Sequence, residues 1–178
     1  MIVISNHVKT IGMEIPKNAV VRINVAWVES KEELHKILSL NADNKIWLDY
    51  PTGRNKPPKP VLTLSETINF CKTYGNLIKY FAFSNAEDTN IIELIRQAVP
   101  EHITLVPKIE TYKGVAFIEH IVKAAKTNVI MLDKEDLYID LKTDNHQFNS
   151  VCKEVIDKCK ELSVICLTLK GVIFAEAN

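Results

Sequence analysis

The chain has no surplus of charge. Its 22 Lys and Arg residues balance 22 Asp and Glu residues, and the formal net charge is zero. There is then no global field to gather nucleic acid or an acidic membrane, and neither partner is expected. Long hydrophobic runs are missing too. No stretch reaches the ~20 apolar residues of a membrane helix. The start, Met1-Ile2-Val3-Ile4-Ser5, lacks the basic region and long apolar core of a signal peptide and reads as a strand. The expected location is cytoplasmic. Cys71, Cys152, Cys159 and Cys166 form no C-x-x-C pair, and in a reducing compartment they read as core thiols. Internal repeats and low-complexity tracts are absent.

What is present is alternation. β-branched runs at Ile2–Ser5, Ala19–Ala26, Lys45–Tyr50, Ile78–Ser84, Ile103–Ile109, Asn128–Asp133 and Val164–Leu169 read as strands. Between most of them lie helical patterns: Ser30–Leu40, Thr63–Tyr74, Ala86–Val99, Lys113–Lys126 and His146–Leu162. Ser30-x-x-Glu33 and Thr63-x-x-Glu66 are capping boxes. Such alternation requires a parallel sheet covered by helices. The 178 residues make one domain, spanning 1–178, and fall short of the ~200–250 of a complete eight-stranded barrel. The expected fold is α/β, a trimmed or incomplete (β/α) TIM barrel with parallel strands; a doubly wound sheet also fits. The thin places are the first crossover, His7–Asn18, and the apolar tail Gly171–Ala175, which can form a short last strand or dock on a second subunit. A homodimer is the expected assembly.

Gly53-Arg54-Asn55-Lys56-Pro57-Pro58-Lys59-Pro60 holds three prolines and is a loop. It follows the strand ending in Asp49-Tyr50, so it lies at the strands' C-terminal side, where chemistry sits in parallel α/β folds. Charged residues gather at that side. Arg22 and Asn24 share a face of one strand, and Lys108 and Glu110 share a face of another. Asp49 ends a third strand, Asp136 follows a fourth, and Thr168 nearly ends the last. Singly, these read as surface or structural pairs. Together, in strands that a parallel sheet buries on both faces, they need partners or a function. Two carboxylates such as Glu110 and Asp136 suit a divalent cation with oxygen ligands. That ion would serve a 2-oxo acid passing through an enolate, with Lys108 and Arg22 adding positive charge and Thr168 bonding a carboxylate or relaying a proton.

Lys108-Ile109-Glu110, with Gly114 four residues on and then Ile130-Met131-Leu132-x-x-x-Asp136-Leu137, resembles the pyruvate kinase barrel, whose motifs read K-I-E-N-x-x-G and I-M-V-A-R-G-D-L. Val21–Asn24, Leu48–Arg54, Phe83–Asp88 and Val164–Thr168 resemble further motifs in the same order, so the likeness spans nearly the whole chain. Val21–Asn24, Ile109–Gly114 and Glu135–Leu137 are also similar to strings of the citrate-lyase and 2-keto-acid aldolase families, which share the phosphoenolpyruvate/pyruvate barrel. The resemblance implies Mg2+ or Mn2+ held by Glu110 and Asp136. It makes Lys108, Arg22 and Thr168 catalytic. Asn24, Asp49, Arg54 and Lys134 would bind substrate, with Asn24 and Asp49 matching ligands of a monovalent cation. The implied ligand is a small 2-oxo acid or enol phosphate.

Departures from the pattern shape the expectation. Ala26 stands where the family has a serine ligand for K+, which argues against that ion. Lys134-Glu135 replaces Arg-Gly at the turn that holds the substrate carboxylate. Asn85 replaces an arginine. The nucleotide lid expected near Arg54 is replaced by the proline-rich loop. The expected activity is therefore a metal-dependent lyase or aldol-type step, with phosphotransfer as a variant. The alternative is a non-catalytic scaffold that binds a ligand or a protein.

Overall fold

The computed structural model describes residues 2–6, 19–54, 56–142, 145–170 and 173–176. Seven strands pair in parallel in sequence order: β1 (Ile2–Asn6), β2 (Ala19–Asn24), β3 (Lys45–Tyr50), β4 (Ile78–Phe83), β5 (Thr104–Ile109), β6 (Val129–Leu132) and β7 (Ile165–Lys170). An eighth strand, β8 (Ile173–Glu176), pairs antiparallel with both β7 and β1 and closes the barrel. This corrects the all-parallel expectation in one place. A parallel return needs a crossover of a dozen or more residues. The step from Lys170 to Ile173 admits only a hairpin. The apolar tail is thus the closing strand, and the trimming falls on the last β/α unit. His7–Asn18, Gly171 and Val172 lie outside the described residues.

The covering helices are α1 (Lys31–Leu40), α2 (Leu64–Thr73), α3 (Thr89–Ala98), α4 (Tyr112–Ala116), α5 (Ile118–Ala125), α6 (Lys134–Leu141) and α7 (Asn145–Glu161). Their starts follow from caps. Thr63 and Glu66 form the reciprocal capping box of α2. Ser30 caps α1 through the Glu33 amide, while the Glu33 carboxylate reaches the Glu29 amide rather than that of Ser30. The helix expected over Lys113–Lys126 is divided at Phe117, whose ψ of 14° leaves the helical range. Helix α6 was not legible in the sequence. Leu137 is its one buried residue, so it shows no apolar stripe, and Asp133 starts it by accepting from the Asp136 amide.

Alternation along the strands divides the core in two. Val20, Trp47, Ala82, Val106, Val129, Met131 and Leu167 fill the barrel interior. Their neighbours Val21, Leu48, Phe81, Leu105, Ile130 and Cys166 belong to the larger core between barrel and helices. Cys71, Cys152 and Cys159 are buried there as free thiols, in keeping with the core reading.

Candidate active site

Inward-facing positions recur every second residue, so the interior layer predicts what stands at the C-terminal mouth. Two residues beyond Val20 is Arg22, then Asn24. Beyond Trp47 is Asp49, beyond Ala82 is Ser84, and beyond Met131 is Asp133. Beyond Val106 come Lys108 and Glu110. Five neighbouring strands thus deliver polar groups to one end of the barrel. Arg22, Asp49, Ser84, Lys108 and Glu110 are all buried.

The groups bond one another. Arg22 grips Asp49 across the β2–β3 pair, with Nε 2.8 Å from Oδ2 and Nη2 on the same oxygen. Lys108 Nζ lies 2.6 Å from Glu110 Oε1 and 3.4 Å from Asp133 Oδ2, and it donates to Ser84 Oγ at 3.2 Å. Glu110 Oε2 accepts from the Asn85 amide at 2.9 Å. Asn85 turns that N–H inward by adopting φ 52°, a left-handed conformation that asparagine tolerates. Its side chain donates to Thr52 O at 2.7 Å, tying the end of β4 to the loop after β3. Gly53 sits beside it at φ 69°, where a Cβ would meet Asn85 Nδ2 at 3.0 Å.

Burial shifts these groups. It works against the Lys108 charge, but the carboxylates of Asp49, Glu110 and Asp133 outweigh it and raise the pKa above the ordinary lysine value. Burial also pushes the Glu110 carboxyl up, opposed by Lys108 and the Asn85 amide. The ammonium is thus strongly held as a cation in the barrel mouth.

Above this floor opens a cleft of about 360 Å3, lined by residues that include Asn24, Arg54, Lys56, Lys108, Glu110 and Asp136. Donor oxygens of Glu110, Asp133 and Asp136 lie within 4.8 Å of one another. Three oxygen donors of this kind suit a hard divalent cation. Glu110 and Asp136, the two ligands expected from sequence, both belong to this cluster. Asp133 joins them, and sequence reasoning missed it although its inward phase from Met131 was there to read. Ser84, Asn85 and Lys56 were missed as well.

The remaining expected residues scatter. Arg54 lines the cleft, but its Nε and Nη2 donate to the carbonyls of Pro58 (2.7 Å) and Pro57 (3.2 Å) and brace the loop. Asn24 lines the cleft and caps the short turn Val25–Trp27, accepting from the Ala26 amide. Asp49 lies beneath the cleft, held by Arg22. Lys134 is exposed in the first turn of α6 and is not among the lining residues. Thr168 is buried but shares its strand face with Cys166, which packs against the helices, so it points away from the mouth. The inward position there belongs to Leu169, a side chain with no proton to relay.

No protein-family model matches the sequence, and no curated protein matches it. Solved structures do resemble the fold. Citrate synthase SbnG superposes with a TM-score of 0.62 at 17% identity, over 85% of this chain and 68% of that one. A variant of that synthase gives 0.62 at 16%, over 85% and 67%. An HpcH/Hpal aldolase/citrate lyase family protein from Burkholderia cenocepacia J2315 gives 0.59 at 12%, over 85% and 71%. At these identities the likeness establishes the fold. Among the described residues no helix is long and apolar enough to cross a membrane.

Proposed function

We propose that this protein is a divalent-metal-dependent enzyme acting on a 2-oxo acid through an enolate, in a lyase or aldol-type step. One observation carries this reading. A three-carboxylate set, Glu110, Asp133 and Asp136, stands beside a buried, strongly cationic Lys108 at the C-terminal mouth of a barrel. The fold likeness to a citrate synthase and to an aldolase/citrate lyase family protein supports the lyase class.

A bound Mg2+ or Mn2+ would supply Lewis-acid stabilisation of the developing enolate. The chain's own groups do the rest. Lys108, held between Glu110, Asp133 and Ser84, sets a fixed positive charge where the oxyanion grows, and a charge held in place needs no reorganisation. The Asn85 amide and Ser84 hydroxyl hold Glu110 in place. Arg22, clamped by Asp49, keeps a second cation under the floor. Phosphotransfer in the manner of pyruvate kinase is less well supported. Asn24 accepts from the Ala26 amide and Asp49 from Arg22, so both expected monovalent-cation ligands already have partners within the fold.

A non-catalytic binding protein is the second reading. It is favoured by the site's internal pairing, in which Lys108 holds Glu110, Arg22 holds Asp49 and Lys56 holds Asp136. Calorimetric titration of manganese, then of oxalate as an enolpyruvate mimic, into wild type and a Glu110→Gln variant separates the two. Oxalate binding that requires both manganese and Glu110 supports the enzyme. Absence of heat from either ligand in the wild type favours the scaffold.

A further inference from the structure

Lys56 pairs with Asp136 and has no part in stabilising the enolate. It sits on the loop between β3 and α2, lines the cleft, and places Nζ 2.6 Å from Asp136 Oδ1, on a residue 80 positions away. Among the described residues no other carboxylate lies within ion-pair distance of it. The loop that presents it is stiffened by three prolines and by the Arg54 bonds to the Pro57 and Pro58 carbonyls. The ammonium is therefore delivered to the cleft mouth from a braced support, and its one partner is a carboxylate of the candidate metal set.

We propose that Lys56 is a specificity-determining residue that changes partner when the metal binds. It rests on Asp136 in the metal-free protein. A divalent ion claims that carboxylate, and Lys56 then faces a second anionic group of the substrate. This inference rests on the enzyme reading above and names its substrate class, a 2-oxo acid carrying a further carboxylate or other anion.

Charge and size argue for it. Arg54, Lys56 and Lys108 face Glu110, Asp136 and Asp140 along the cleft, and Asp133 adds a fourth carboxylate at the metal set. Three cations against four anions give −1, and a divalent ion makes it +1. The cleft turns attractive to anions only once the metal is in. With Asp136 taken, Lys56 loses the one carboxylate among the described residues that it pairs with, so a ligand anion is its natural partner. A volume of about 360 Å3 falls in the range of small-molecule sites. Both Lys56 and Asp136 are partly exposed, so their pair is weak and yields to a divalent competitor.

The test uses wild type, Lys56→Met and Lys56→Arg. Manganese is titrated first. Then, with manganese saturating, 2-oxoglutarate is compared with 2-oxopentanoate, which has the same chain length without the second carboxylate. Losing a surface ion pair is worth up to about fivefold in affinity. Lys56→Met is therefore expected to bind manganese up to about fivefold more tightly. It should also lose the wild-type preference for 2-oxoglutarate, while binding oxalate as the wild type does. Lys56→Arg should retain the preference. An unchanged manganese affinity or an unchanged preference in Lys56→Met overturns the inference. Wild-type protein that binds no manganese overturns the enzyme reading and this inference with it. Normal binding of manganese and oxalate beside an indistinguishable Lys56→Met overturns this inference alone.

Discussion

Lys108, on β5, and Glu110, just past its end, form a buried ion pair at 2.6 Å inside the mouth of the barrel. Each is about 5% exposed. Neither charge is tolerable there alone, because a single buried ion has lost its water without a counter-charge. Lys108→Met is therefore expected to destabilise the fold by about 3–5 kcal/mol. Adding Glu110→Gln in the same chain should recover much of that loss. Urea denaturation of the two single variants and the double variant measures the coupling. Strictly additive losses would show that the pair is not a unit.

Arg22 reaches Asp49 through two nitrogens, Nε and Nη2. Lysine has a single ammonium and cannot reproduce a two-nitrogen grip. Arg22→Lys is expected to lose about 1–2 kcal/mol of stability even though the charge is kept. Equal melting of variant and wild type would mean that only the charge at this position matters.

Gly53 lies at φ 69°, and a Cβ there would press on Asn85 Nδ2. Gly53→Ala is expected to cost about 1–2 kcal/mol through the backbone alone. Because Asn85 also bonds Glu110 through its amide, manganese affinity should fall as well. Thermal melts and manganese titration check the two effects separately. A stability loss with no change in manganese affinity would place the strain in the loop only.

Glu66 ties the start of α2 to Lys31 of α1. It accepts from Lys31 Nζ at 2.7 Å and from the Thr63 amide and hydroxyl, and these bonds lower its pKa from 4.5 to about 2. A carboxyl with a depressed folded-state pKa stabilises the fold above its unfolded value, and that contribution is lost as pH falls through the folded one. Wild type should therefore be more stable than Glu66→Gln at neutral pH, with the gap closing between pH 4.5 and about 2. Melting curves across that range test it, and a gap independent of pH would assign the effect to the cap geometry rather than to charge.

Much of the architecture was legible locally. Strand and helix periods, the caps at Ser30 and Thr63, and the proline-rich turn are properties of a few consecutive residues, so they survive in the sequence whatever the rest of the chain does. The shared face of Lys108 and Glu110 was legible for the same reason, since a strand alternates every two residues.

What only the tertiary structure decided depends on elements brought together across long separations. The antiparallel β8, the Arg22–Asp49 pair 27 positions apart, the Asn85 amide on Glu110 and the Lys56–Asp136 contact 80 positions apart are set by strand register and barrel closure. Thr168 shows the limit most plainly. Its residue type and place near a strand end suit a catalytic role, yet a one-residue difference in phase from Leu167 turns it to the helices. Asp133 is the converse, an unremarked residue whose phase with Met131 brings it to the metal set. Sequence by itself determined which side chains share a face; the closed barrel determined which face is the inside, because only the packed interior can exclude water and bring the strand ends together.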